Sequence, residues 1–375
     1  MKYTKWVSTW GNAVSIGENR PESIGKNITL RYPVFFPFTG DAVKFTFDNF
    51  CGTEPIRIAR ATFYCNGVFY PILFEDSRDV TIAPGKDVTS SELACDITKG
   101  ETGFISFYLE DYTHLRSCVF VSGPLSEGFY AIGDCTMQQD FDINTSRKTN
   151  IFYFLSNVSL RTDHRKHSIV CFGDSITAQD WPDYLTLRCQ KEGFNSTAVI
   201  RRAASGSRLL RQYSCITYES YGLSGHNRFE HEVPTEGADT LIIQQGINDI
   251  IHPVGEEVNP FRPMSDLPTV DEMIAELKHY ICLARSYGYK VYIGTLLPIE
   301  GWRTYAPFRE EMRTQLNEWI RTTDLINGCI DFDKAVRDPN HPTAFAPGLD
   351  SGDHLHPSPA GYIAMADAIP RELLS

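Results

Sequence analysis

The sequence predicts two unlike halves: an all-β sandwich of jelly-roll type over residues 1–162, followed by an α/β unit with a five-stranded parallel sheet between helices over residues 163–375. Three observations predict this. The first 160 residues carry short runs rich in β-branched and aromatic residues, punctuated by Gly, Pro, Asn and Asp, with no sustained 3.6-residue period. From about residue 167, continuous apolar strand runs alternate with helical segments, the pattern of a parallel sheet covered on both faces. A length of 375 residues exceeds that of most single domains.

In chain order, the β runs are ITLRYPVFF, AVKFTFDNF, IRIARATFYCNGVFYPILF, GFISFYLEDY, SCVFVSG and IFYFLSNVSL, after which the polar RTDHRKH reads as a linker. The α/β strands are SIVCF, TAVIR, TLIIQQ, KVYIGTLL and CIDF. Helices are expected over Pro182–Lys191, Val270–Tyr287, Phe308–Thr323 and Pro359–Leu373. In the second of these, Met273, Ile274, Leu277, Ile281 and Ala284 recur at the spacing of a sheet-covering face.

A formal charge of −12 argues against nucleic acid or an anionic membrane as partner, because approach would begin with repulsion. The stretch MKYTKWVSTWGNAVSIGENRP contains no apolar leader core, and no segment has eighteen consecutive apolar residues. A cytoplasmic location is therefore expected, or a secreted one if a leader has been trimmed. The ten cysteines are irregularly spaced without a C-x-x-C pair, so they are expected to be free thiols; Cys171 falls in a strand run and Cys282 on the apolar face of a helix. The sequons at Asn27, Asn144, Asn157 and Asn195 carry weight only in a secreted protein. There is no H-E-x-x-H and no paired Cys/His ligand spacing, so neither a metal nor a cofactor is expected.

In an open α/β sheet, ligands bind beyond the carboxyl ends of the strands. Three clusters sit just past such ends, and a fourth precedes the last helix. Ser175, in CFGDSITAQD, lies ahead of a helix and could cap it, or could be a nucleophile whose free helix amides favour an oxyanion. Gly206 is either a turn residue or a place where a backbone N–H approaches a developing charge. In QQGINDI, Asn248 is a turn former or a neutral oxyanion donor, and Asp249 is expected to be structural. In DSGDHLHPSPAGY, Asp353 and His356 lie three residues apart before a helix start marked by Ser358 and Pro359. Such a pair can supply a serine nucleophile with a base and the carboxylate that orients it; His354 is the rival histidine.

GDSIT at 173–177, Gly206, GIND at 246–249 and DHLH at 353–356, taken in order, resemble the SGNH subgroup of the GDSL esterases and lipases. The resemblance implies a flavodoxin-like sheet, Ser175 as nucleophile, His356 as general base, Asp353 as its orienting carboxylate, and an oxyanion hole made of the Ser175 and Gly206 N–H groups with the Asn248 amide. The runs WVSTWGNA, ITLRYPV and FDNFCGTEPIRIARA resemble the β domain that precedes the catalytic domain in two-domain carbohydrate esterases, notably family-2 acetylxylan esterases, and equally the leader domains of bacterial esterases whose substrates are less defined; RFEHEV at 228–233 is similar to those two-domain members. In RFEHEV the arginine could equally be holding its helix by ion pairs.

The resemblance implies a serine esterase that removes acetyl groups from xylan or xylo-oligosaccharides. A short link from Ser175 to its helix and the lack of a long apolar lid favour a small acyl group. Trp181 and Trp302, with Tyr213 and Tyr305, lie close to these blocks and could stack on sugar rings, although packing in the core or at its rim is the default for any one of them. A lysophospholipase or thioesterase, and a carbohydrate-binding protein that no longer catalyses, are the alternatives. An acetylated oligosaccharide is the expected partner, with self-association left open.

Overall fold

The structure is a computed structural model and describes residues 3–17, 24–142, 144–213 and 215–375. The stretch read above for a leader therefore lies partly outside the described residues. Among the described residues, no helix is long and apolar enough to cross a membrane.

The N-terminal half is antiparallel β structure. One sheet pairs the strands Lys5–Gly11, Leu155–Thr162, Gly40–Asp48 and Asp87–Thr89 in that order, with Leu93–Ile97 also on Gly40–Asp48. The other runs Ser146–Thr149, Gly128–Ile132, Ile28–Phe35, Thr102–Leu109, Arg60–Cys65 and Val68–Ile72. Alternation along Gly40–Asp48 sends Phe45 and Phe47 inward, where Phe45 meets Phe63 and Phe47 meets Phe107, each pair with centroids 5.3 Å apart. All four rings are fully buried, and truncating one to Ala would cost about 3–5 kcal/mol. A third, three-stranded sheet joins Ile151–Tyr153, Ser117–Phe120 and Ser15–Ile16.

The C-terminal half is a five-stranded sheet in the order Thr197–Ala203, His167–Gly173, Ala238–Gln244, Lys290–Gly294 and Gly328–Ile330, with every pairing parallel. Val170, Cys171, Phe172, Leu241, Ile242 and Ile243 are fully buried, as strands covered on both faces must be. The helices are α1 (Ser175–Ala178), α2 (Trp181–Glu192), α3 (Gly225–Glu232), α4 (Ile247–Ile251), α5 (Val270–Ser286), α6 (Pro307–Thr322), α7 (Phe332–Val336) and α8 (Pro359–Asp367). Helix α5 starts with a capping box between Thr269 and Glu272. It buries Met273, Leu277, Tyr280, Ile281 and Ala284, while Ile274 is half-buried.

Three expectations are corrected. Cys282 is exposed, because it lies one position, or about 100° of helix, beyond the inward-facing Ile281. The last helix ends at Asp367, and a short 3₁₀ turn at Arg371–Leu373 follows Pro370. RTDHRKH is less a spacer than a tight reversal, since one strand ends at Thr162 and the next begins at His167.

The two halves are in hydrogen-bonded contact. Ser168 Oγ donates to the Ser8 carbonyl at 2.6 Å, and the Ser8 N–H donates to the Glu236 carbonyl at 2.8 Å. The buried Arg202 guanidinium donates to the carbonyls of Asn12 (2.6 Å) and Ser156 (2.7 Å) and to Asn157 Oδ1 (3.1 Å). All ten cysteines are free thiols.

Candidate active site

Gly173 closes its strand opposite Ala203 on one side and Gln244 on the other. Three segments therefore leave the sheet at one level, and these carry Ser175, Gly206 and Asn248. Gly173 has no room for a side chain, because a Cβ there would lie 2.4 Å from both the Gln244 carbonyl oxygen and Thr177 Oγ1. The chain turns at once into α1, where Asp174 rather than Ser175 is the cap, accepting the Ile176 N–H at 3.0 Å. Ser175 is thus the first helical residue, with its N–H free at the positive end of the turn.

The second part of the site comes from a loop held by its own polar groups. Asp353 Oδ1 accepts the N–H groups of Leu355 (2.9 Å) and His356 (2.8 Å) and the Ser351 hydroxyl (3.1 Å). The Ser351 N–H donates back to the His356 carbonyl at 3.0 Å. Ser358 then caps α8 by accepting the Gly361 N–H. His356 Nδ1 lies 2.7 Å from Asp353 Oδ2, and His356 Nε2 lies 2.9 Å from Ser175 Oγ. Burial works against the Asp353 charge, but the His356 contact and the two N–H donors outweigh it and hold this carboxyl at about 2. Asp353 is therefore an anion across the neutral range. His354 is turned outward at a positive φ of 63° and pairs with Asp350 at 2.6 Å, so it is not the histidine at Ser175.

Asn248 is buried, and its Nδ2 donates to the Ser207 carbonyl at 3.0 Å, which ties the third segment to the second. Its neighbour Asp249 accepts the N–H groups of Leu209 (2.5 Å) and Leu210 (3.1 Å) and so shapes the loop that follows Gly206. Gly206 has φ +79°, and a Cβ there would meet the Tyr221 ring at 2.6 Å. Burial pushes Asp174 up to about 7 and Asp249 up to about 6, against the pull of their backbone donors. Among the described residues, one carboxylate oxygen of Asp174 has no partner.

The two tryptophans fare differently. Trp181 is fully buried, so it does not touch substrate. Its indole N–H donates to Thr177 Oγ1 at 3.3 Å, and Thr177 Oγ1 donates to Gln244 Oε1 at 3.0 Å, which braces the turn that carries Ser175 from below. Trp302 is half-buried, with Arg303 4.5 Å over its ring. It follows Gly301, which packs against His354, so Trp302 does lie beside the loop that carries His356.

Sequence reasoning missed two supports of the site. Arg228 is completely buried, paired with Glu232 and 4.1 Å from the Phe172 ring centroid. It donates to the carbonyls of Gly173 (2.6 Å) and Arg202 (3.0 Å), fixing the ends of two adjacent strands. RFEHEV was the signal for it, and the ion pair is only part of its role. The second support comes from the N-terminal half. Leu125 N–H and Ser126 Oγ donate to Asp183, Ser122 Oγ donates to Asp180, and the Ser122 N–H reaches the Ala178 carbonyl at 3.3 Å. No local pattern announces such a contact.

A family model, the GDSL-like lipase/acylhydrolase, matches residues 169–369, more than half of the chain. The chain belongs to the GDSL-like lipase/acylhydrolase family. Membership makes the protein an ester hydrolase by family and accounts for the parallel sheet with GDSIT at its carboxyl edge. Solved structures similar to this hydrolase include a putative lipolytic protein of the G-D-S-L family from Desulfitobacterium hafniense (18% identity, 54% of this chain and 97% of that one, TM-score 0.40). A putative acylhydrolase from Bacteroides fragilis is similar at 20% identity (55% and 86%, TM-score 0.39), and an acetylxylan esterase from Geobacillus stearothermophilus at 20% (55% and 94%, TM-score 0.42). A search of curated proteins gave no match.

Among the described residues, one group has the composition to hold a metal ion: His226, Glu276 and His279, whose ligand atoms lie within 4.8 Å of one another. None of them belongs to the Ser175–His356–Asp353 chain.

Proposed function

We propose that this hydrolase is a serine esterase that works through an acyl-enzyme, with Ser175 as nucleophile, His356 as base and Asp353 as the orienting carboxylate. One observation carries this: the unbroken hydrogen-bonded chain from Ser175 Oγ to His356 Nε2 (2.9 Å) and from His356 Nδ1 to Asp353 Oδ2 (2.7 Å). His356 takes the Ser175 proton as Oγ bonds to the ester carbonyl carbon. The Ser175 and Gly206 N–H groups and the Asn248 amide are the donors for the oxyanion. Collapse breaks the bond to the alcohol oxygen, which leaves with the proton from His356. Water, deprotonated by His356, then attacks the acyl-enzyme and releases the carboxylic acid and free Ser175.

The substrate in this reading is an acetyl ester of a neutral xylo-oligosaccharide. Support comes from the charge of −12, which disfavours anionic polymers, and from the short turn between strand and α1. Trp181 no longer contributes to that support. The test is acetate release from acetylated xylotriose by the wild type and by Ser175→Ala. Wild-type turnover and a variant reduced to background are expected; a variant that keeps wild-type rate overturns the nucleophile. A strong preference for p-nitrophenyl octanoate over the acetate would overturn the acyl assignment in favour of a lipase or thioesterase.

A further inference from the structure

Beside Gly206, where the two halves meet, lies a cleft of about 520 Å³, within the ~300–1,000 Å³ usual for small-ligand sites. One wall is the three-stranded sheet of the N-terminal half. In its register Cys118 faces both Ser15 and Tyr153, and Phe120 faces Ile151. Two residues along a strand return to the same face, so these five side chains form one continuous surface along the cleft. The opposite wall is the segment that leaves the parallel sheet, Ala204 to Gly206, together with Tyr221. Tyr221 is fixed over Gly206 by stacking on His252 (5.0 Å) and by contact with Tyr213 and Tyr218.

The chemistry of the walls is specific. Among the described residues, no charged side chain lines the cleft. It offers the aromatic rings of Phe120, Tyr153 and Tyr221, and its polar side chains, Ser220 and the two tyrosines among them, bear hydroxyls. Phe120 (46% exposed) and Ile151 (37%) remain open to solvent, although both are large apolar groups. Rings for apolar C–H faces, uncharged hydroxyls for hydrogen bonds and an open mouth suit a neutral hydroxylated ring compound longer than one unit. A fatty acyl chain would need no hydroxyl partners, and an acidic sugar would need a cation.

We propose that this cleft is the subsite for the alcohol half of the ester, a neutral oligosaccharide, and that the N-terminal β half supplies one of its walls. The proposal rests on the serine esterase reading above and gives the β half a share in specificity. The acetyl carbonyl sits at Ser175 and Gly206, and the sugar units beyond the acetylated one run along Tyr221 toward Phe120 and Ile151.

The test is the double variant Phe120→Ala/Ile151→Ala in the full chain. Both side chains are partly exposed, so the fold is expected to persist, as checked by circular dichroism. KM for acetylated xylotriose should rise about tenfold with kcat nearly unchanged, the signature of lost uniform binding. Hydrolysis of ethyl acetate, which cannot reach the far wall, should stay within twofold. Phe120→Trp, which keeps the ring, should retain the wild-type KM. An unchanged KM for the trisaccharide, or an equal loss on both esters, overturns the subsite while leaving the esterase reading intact. Weakened p-nitrophenyl octanoate hydrolysis with the trisaccharide unaffected would make the cleft an acyl site and overturns the proposal. A wild-type enzyme that cleaves ethyl acetate but no acetylated oligosaccharide overturns the carbohydrate reading, and the proposal with it.

Discussion

The two sides of the site are held in opposite ways. Ser175 sits on a turn locked from beneath by buried groups: Gly173 pressed on Gln244, Trp181 on Thr177, and Arg228 on two strand-end carbonyls. His356 sits on a loop whose ties are local, and the Asp353 side chain stays 41% exposed. The difference teaches that chemistry and stability are fused on the strand side and separable on the loop side. Variants on the two sides should therefore fail differently.

The largest effect is expected from His356→Ala. Activity should fall on the order of 10⁶-fold, while the urea midpoint stays near the wild-type value because no buried network is broken. Steady-state kinetics and denaturation of the same preparation check both halves, and a large loss of stability would abolish the contrast. Arg228→Met acts the other way. It strands Glu232 and two strand-end carbonyls in the interior, which should cost about 3–5 kcal/mol of folding stability. A midpoint close to wild type would show that the strand side is not braced through Arg228.

Asn248→Ala lies between the two. Removing one oxyanion donor should cost roughly 3 kcal/mol, or about a hundredfold in turnover. Because Asn248 Nδ2 also ties to Ser207, a modest drop in stability should accompany it. Near-normal turnover in a folded variant would remove Asn248 from the oxyanion hole.

The smallest effect is a slope. Asp174 and Asp249 are pushed up to about 7 and 6 from an ordinary value of 3.8. Between pH 4 and 7 the folded chain keeps protons that the unfolded chain has released, so these groups make stability fall as pH rises through that window. Asp174→Asn should flatten the dependence, most visibly between pH 5 and 7. Thermal unfolding across that range reads it, and an unchanged slope would contradict the burial account.

What was legible in the sequence follows the same division. Continuous apolar runs mark strands buried on both faces, so the positions of Ser175, Gly206 and Asn248 just past strand ends could be read directly. Spacing and the cap at Ser358 mark the loop but leave His354 and His356 as rivals, and it is the resemblance to the GDSL esterases that selects His356 with Asp353. Neither spacing nor composition could show that Trp181 faces inward, because a tryptophan beside a site has the same apolar body whether it packs or binds. Cys282 was misplaced by one residue of helical phase, which is 100° on the wheel. The docking of Ser122–Ser126 onto Asp180 and Asp183 was invisible, since its partners lie about 58 positions apart with no shared motif.

Arg202 gives the pairing of the halves a practical meaning. Its guanidinium is buried, yet the acceptors at its tip belong to Asn12, Ser156 and Asn157, residues of the other half. A fragment carrying the hydrolase half alone would lose all three acceptors and turn that flank of its sheet toward water. Anyone trimming this protein to a minimal catalyst should therefore expect to carry the β half along with it.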